Sequence, residues 1–208
     1  MKAVYQNHLI RGVGVASTNL SLALLYLFFA YSHALNFIES PRLSVILIIV
    51  AETLLIFFIL TRKEPDKTMH TLKAWLTTIG GTFLILLLRP IDAPHDLLLG
   101  QFVQGIGFML QIGAILALNK SFGLLPANRG VKSSGLYRLV RHPLYSAYTV
   151  AHIGYLINNF TLFNFVIVFI GTAFQILRIL NEEQLLSEYS DYVDYSHRTK
   201  WRLIPHVW

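Results

Sequence analysis

The stretch Gly135-Leu136-Tyr137-Arg138-Leu139-Val140-Arg141-His142-Pro143-Leu144-Tyr145 sets cations, phenols and a proline between two strongly apolar regions. That much hydrogen-bonding capacity beside apolar segments suits a site for a charged small molecule at a membrane surface. Pro143 fits the first turn of a helix, where no amide donor is needed, and it holds His142 extended. His142 therefore sits at a helix entrance, beside free backbone amides and the positive end of the helix dipole. Such a corner favours an anionic group such as a carboxylate. The plainer reading is a topological anchor, because loops rich in Lys and Arg with interfacial tyrosines are common in membrane proteins.

A second polar cluster, Arg178 to Glu183, ends a later apolar run. Arg178 and Glu182 are spaced i, i+4 and share one helix face, while Glu183 is turned about 100° from Glu182. Topology does not explain the acid pair, since Asp and Glu contribute little to it. A surface ion pair would be worth under about 1 kcal/mol. In a site, Arg178 could hold a carboxylate and the glutamates could face a cation. Tyr145, Tyr148, His152 and Tyr155 also fall on one helical face, as interhelical hydrogen-bonding groups or as the wall of a cofactor site.

These clusters need helices to position them. The 208 residues are 54% hydrophobic and 13% charged, against about 25% charged in soluble domains. The expected fold is an all-α integral membrane bundle. Apolar runs cover about 13–35, 43–60, 74–88 and 97–118, and a helical hairpin covers 144–157 and 162–180, turning at Asn158-Asn159. A polar, tyrosine-rich and partly helical tail runs from Asn181 to Trp208. Residues 1–118 form an N-terminal set of transmembrane helices. Residues 119–208 carry the polar loop, the hairpin and the tail of the same compact unit. Lys and Arg are dense in the head, the second loop, the fourth loop and the tail, and sparse in the other three connections. This alternation places the termini and both polar clusters in the cytoplasm. The net charge of +6 thus reflects topology rather than nucleic-acid binding. The absence of cysteine excludes disulfides and thiolate chemistry.

Other residues fit quieter roles. Glu52 lies mid-span with no cationic partner apparent in the sequence, and a hydrogen-bonded structural role accounts for it as well as a functional one. Gly105, Gly107 and Gly113 read as close helix packing. Gly12-Val13-Gly14 follows no strand and is no dinucleotide fingerprint. The eight histidines show no metal spacing, and no metal is expected.

Ser134-Gly135-Leu136-Tyr137, Arg141-His142-Pro143-x-Tyr145, Arg178 with Glu182-Glu183, and Tyr192-x-x-Tyr195 leading to Arg202-Leu203-Ile204-Pro205 resemble the C-terminal half of the isoprenylcysteine carboxyl methyltransferase family. That family also takes in phospholipid N-methyltransferase-like and bacterial membrane members. The resemblance covers about residues 119–208. It implies an integral membrane methyltransferase that uses S-adenosyl-L-methionine and has no Rossmann domain. Arg129, Gly130, Val131, Lys132, Tyr137, His142, Pro143, Leu144 and Tyr145 would hold the cofactor. Arg178, Glu182 and Glu183 would act on the substrate side, with carboxyl-O-methylation favoured over amine or thiol transfer. The partner implied is a lipophilic or lipidated acceptor from the membrane. Arg129 replaces a histidine usual in eukaryotic prenylcysteine enzymes, and Tyr189-Ser190 stands where Phe-Gly is usual. Both departures count against a prenylcysteine substrate. The competing readings are a sterol-type reductase using NADPH and a non-enzymatic membrane scaffold or transport subunit.

Overall fold

The computed structural model describes residues 2–61, 67–121, 123 and 125–208, with side chains from Ser17 onward except that of residue 120. The side chains of Lys2, Arg11 and Gly12-Val13-Gly14, and the charged loop 62–66, lie outside the described residues. Seven α-helices are described: α1 (Lys2–Glu39), α2 (Leu43–Thr61), α3 (Leu72–Phe83), α4 (Leu98–Leu118), α5 (Pro143–Asn158), α6 (Leu162–Leu186) and α7 (Ser190–Arg198). The fold is an all-α bundle. Ser17–Glu39, α2, α4 and α6 are each long and apolar enough to cross a membrane. Leu20, Phe28, Phe102, Met109, Leu162 and Phe169 stand exposed on these helices, as lipid-facing side chains do.

The two remaining apolar runs are helical over close to the expected residues but short for a membrane span. The third ends as α-helix at Phe83 and tightens into a 3-10 turn over Leu84–Leu87. The 16 residues of α5 rise about 24 Å, short of a hydrocarbon core of about 30 Å. Local chemistry sets the helix starts. Thr71 caps α3 by accepting from Ala74 N at 3.2 Å, and Thr161 caps α6 by accepting from Asn164 N at 3.0 Å, each satisfying an otherwise orphaned amide.

Helix α1 packs on α2, α3 on α6 and α4 on α5. The α4–α5 contact is the closest. A Cβ on Gly107 would run into the backbone of Ala151, one on Gly154 into the backbone of Gln104, and one on Gly100 into Asn158. The glycine reading thus holds for Gly107. It fails for Gly105, which faces open space, and Gly113 touches only the Leu136 side chain. A cluster of Tyr26, Ile59, Leu86, Ala114, Ile115 and Leu144 joins α1, α2, the 3-10 turn, α4 and α5.

One end of the bundle gathers the Lys- and Arg-rich segments. There a two-stranded antiparallel ladder, β1 (Lys67–Thr68) with β2 (Ala127–Asn128), ties the α2–α3 connection to the α4–α5 connection. The sequence gives no strand signal at either place. Arg141 N and His142 N donate to Trp201 O and Arg202 O at 2.8 and 2.9 Å, which holds the tail across the start of α5.

The opposite end is closed by buried amides. Asn159 Oδ1 accepts from Arg42 Nη2 (2.8 Å) and Ile91 N (3.2 Å), and Asn158 Oδ1 accepts from Leu97 N (2.9 Å). Asn164 bonds both Arg89 N and Arg89 O. Buried loop backbone needs such partners. The Asn158-Asn159 turn of the hairpin therefore also organises the neighbouring connection.

Candidate functional site

Among the described residues, an elongated cavity runs from the basic end into the bundle. It brings the two polar clusters together. Arg129, Gly130, Val131, Lys132, Tyr137, His142, Leu144 and Tyr145 line it, and so do Arg178 and Glu182 from α6. Of the residues singled out in the sequence, Pro143 and Glu183 lie outside its wall.

Each side chain arrives by an identifiable route. Asn128 Oδ1 accepts from Gly130 N at 2.9 Å, and Gly130 takes a φ of 85°, a left-handed value that favours glycine. That turn presents 129–132 to the cavity. Pro143 takes the first helical position as expected, but His142 before it has φ −128° and ψ 58° and is not extended as the proline predicts. Its carbonyl accepts from Tyr145 N (3.1 Å) and Ser146 N (3.2 Å). These amides of the α5 entrance are therefore satisfied within the chain, and the anion site expected of them has fewer free donors.

Adjacent residues of α6 part company, as the 100° offset predicts. Glu182 turns to the cavity, where its Oε2 accepts from Tyr145 OH at 3.2 Å. Glu183 turns away and becomes a hub. Arg141 reaches it from Nε at 2.7 Å and Nη2 at 3.3 Å, Arg202 Nε at 2.7 Å, and His142 Nε2 lies at 3.1 Å. The hub joins α5, α6 and the tail.

Arg178 is no surface ion pair. It is 7% exposed, and it donates from Nη1 to Thr82 Oγ1 (3.2 Å) and from Nη2 to Gly123 O (2.9 Å). Its guanidinium carbon lies 5.4 Å from the centre of the Tyr145 ring, within cation–π range. Its Nε has no partner. Arg178 and Glu182 thus share the cavity wall while bonding to other groups.

Tyr145, Tyr148, His152 and Tyr155 form a continuous wall. Tyr145 and Tyr148 meet edge to face, and Tyr148 stacks on His152. Interhelical bonding, the quieter reading, holds for Tyr145 alone among the hydroxyls assigned. Nearer the basic end, Tyr137, Tyr192 and Tyr195 pack together, and Tyr195 OH donates to Tyr137 O at 2.7 Å. Burial pushes the Tyr195 phenol up to about 12 and holds those of Tyr137 and Tyr192 well above the ordinary value. All three face the site as neutral phenols.

Sequence reasoning missed part of the wall. Glu52 has a partner after all: His33 Nδ1 lies 3.1 Å from its Oε2. His33 Nε2 donates to Leu88 O at 3.2 Å, so a proton on either Nδ1 or Oε2 completes the pair. Gln104, Gln111 and Gln175 also line the cavity. Polar amides within apolar runs were the available signal.

Fold and site together define an integral membrane protein whose cavity is lined by the helical hairpin, the loop before it and side chains from α2, α3 and α4. Residues 96–191 match the phospholipid methyltransferase family. Through this segment the chain is similar to the isoprenylcysteine carboxyl methyltransferase-like membrane proteins, a match that supports a membrane methyltransferase. The match begins ahead of α4, so it takes in the helix that packs most closely on α5. A comparison with curated proteins gave no match.

Proposed function

We propose that the chain transfers a methyl group from S-adenosyl-L-methionine to a lipophilic acceptor, at the basic end of the bundle. The observation that carries this reading is the convergence of Arg129–Lys132, His142, Tyr145, Arg178 and Glu182 on one cavity. The donor set fits the cofactor. Arg129 and Lys132 can take its carboxylate, Glu182 can face its positive charge, and the Tyr145–Tyr148 wall suits a flat ring.

When bound, the sulfonium supplies an activated methyl group, a chemistry that needs alignment more than acid–base help. The chain's own residues supply the alignment. Arg178, fixed by Thr82 and Gly123, can grip an acceptor carboxylate. Glu182, held by Tyr145, can take the proton of an amine or thiol acceptor. Glu183 acts as a positioning residue that holds Arg141, His142 and Arg202 around the site. Carboxyl-O transfer is favoured by the buried, rigid Arg178. The basic end faces the cytosol, following the Lys and Arg distribution.

The test is calorimetry and methyl transfer with purified protein and a lipid extract. S-adenosylhomocysteine should raise the melting temperature and NADPH should not, through linkage of binding to folding. Arg178→Ala and Glu182→Ala should abolish turnover while S-adenosylhomocysteine still binds. Full turnover in Arg178→Ala overturns the assignment.

A further inference from the structure

Beyond Arg178 the cavity changes chemistry. Glu52, Gln104, Gln111, Tyr155 and Gln175 all line it, and each is at most 4% exposed. Each also has an atom without a protein partner: Glu52 Oε1, Gln104 Oε1, Gln111 Nε2, Tyr155 OH and Gln175 Oε1. Two of the amide orientations are fixed by carbonyl partners. Gln104 Nε2 donates to Ser44 O at 3.0 Å, and Gln175 Nε2 to Gly81 O at 3.3 Å. The free atoms there are oxygens. His33 occupies Glu52 Oε2, which leaves Oε1.

These groups follow the cavity inward. Helical rise puts Gln175 one turn inside Arg178, Gln111 about 10 Å from the basic end of α4, Glu52 about 13 Å from that of α2 and Tyr155 about 18 Å from the start of α5. Unmade hydrogen bonds at that depth are costly, and buried polar groups ordinarily have partners. Several in one chamber mark the polar contacts of a ligand, within apolar walls such as Leu47, Ile48, Leu55 and Phe108. Three of the five free atoms are acceptor-only oxygens. The lining cations, Arg129, Lys132, Arg141 and Arg178, all belong to the basic-end part, and among the described residues the inner wall has no Lys or Arg.

We infer that the inner chamber binds the polar end of a lipophilic molecule through its N–H or O–H donors, and that it rejects a phosphate head. The donors come from an amine or from hydroxyls. Binding alone is at issue, so the inference stands apart from methyl transfer.

The full chain in detergent is titrated with four probes of equal alkyl length: dodecylamine, 1-O-dodecylglycerol, dodecyltrimethylammonium and dodecyl phosphate. Calorimetry and thermal shift read the binding. Dodecylamine, dodecylglycerol or both should bind at least about tenfold more tightly than the donorless ammonium and the phosphate. Glu52→Gln, which can still bond His33, should remove most of the amine's advantage. Gln104→Leu and Gln175→Leu should weaken whichever donor probe binds, and they keep the test open if Glu52→Gln does not fold. If S-adenosylhomocysteine binding persists through these variants, a failure here is distinct from a failure of the methyltransferase reading. Equal binding of all four probes, or affinities unchanged in the folded variants, means that water alone fills the chamber and overturns the inference.

Discussion

The bundle is pinned at each end by a carboxylate, buried at one end (Asp96) and partly buried at the other (Glu183), and the two pins differ in charge. At the closed end Asp96 holds Arg42 at 3.2 Å and accepts from Ser44 N and Ser44 Oγ at 2.7 Å each. One anion meets one cation and the first turn of α2, and both side chains are almost wholly buried. At the basic end Glu183 meets Arg141, His142 and Arg202, with Arg202 about one-third exposed. One carboxylate cannot balance two guanidiniums, while Arg178 and Glu182 on the neighbouring cavity wall offset each other in charge. The first pin is neutral and closes a loop. The second leaves excess positive charge beside a cavity, where an anionic group finds partners. A buried ion pair alone therefore says little about function; its surplus charge and what it borders say more.

The largest effect should come from unbalancing the neutral pin. Asp96→Ala leaves Arg42 buried and unpaired, at a cost of about 3–5 kcal/mol. The joint replacement Arg42→Met with Asp96→Leu should recover most of that loss, as thermal unfolding would show. If the single variant melts like the wild type, the closed end is not what holds the bundle together.

Next comes Glu183→Gln, which keeps the shape but removes the charge. Turnover should fall about a hundredfold, as for loss of a preorganised electrostatic contact, with a smaller loss of stability than in Asp96→Ala. The reverse ranking would make Glu183 a second structural pin. His142→Ala should weaken S-adenosylhomocysteine binding about tenfold and leave the melting temperature of the unliganded protein within a few degrees.

The smallest effect concerns pH. Tyr137, Tyr192 and Tyr195 have phenols raised by burial, so the unfolded chain ionises first. Their contribution to stability is intact below about 10 and is lost as pH rises from there towards the folded values. The part of the tyrosinate absorbance that Tyr137→Phe, Tyr192→Phe and Tyr195→Phe remove should appear together with unfolding. Its appearance in the folded protein near pH 10 would show those rings to be solvated.

Much of this was legible in the sequence for reasons that are local. Thr71 and Thr161 precede apolar runs, Pro143 opens a helix, and the i, i+4 spacing of Arg178 and Glu182 survives into the cavity wall. Order along the chain also let the two clusters be paired in one site. What was hidden depends on packing between helices. Nothing near Glu52 announces His33, because α1 and α2 must fold together before the two meet. Arg178 finds Thr82 and Gly123 only once α3 and the α4–α5 connection are in place. Gly105 looks like Gly107 in the sequence, yet two positions along α4 turn it about 200° away from the α5 seam.

The paired glycine contacts along α4 and α5 bear on traffic. Gly107 and Gly154 bring the two backbones together at two heights, and Gly100 seats the Asn158 side chain at a third, too tightly for an acyl chain to slip through. A hydrocarbon guest arriving from the bilayer must therefore use another seam of the bundle, and widening Gly107 to a bulkier residue would distort the wall without blocking that doorway.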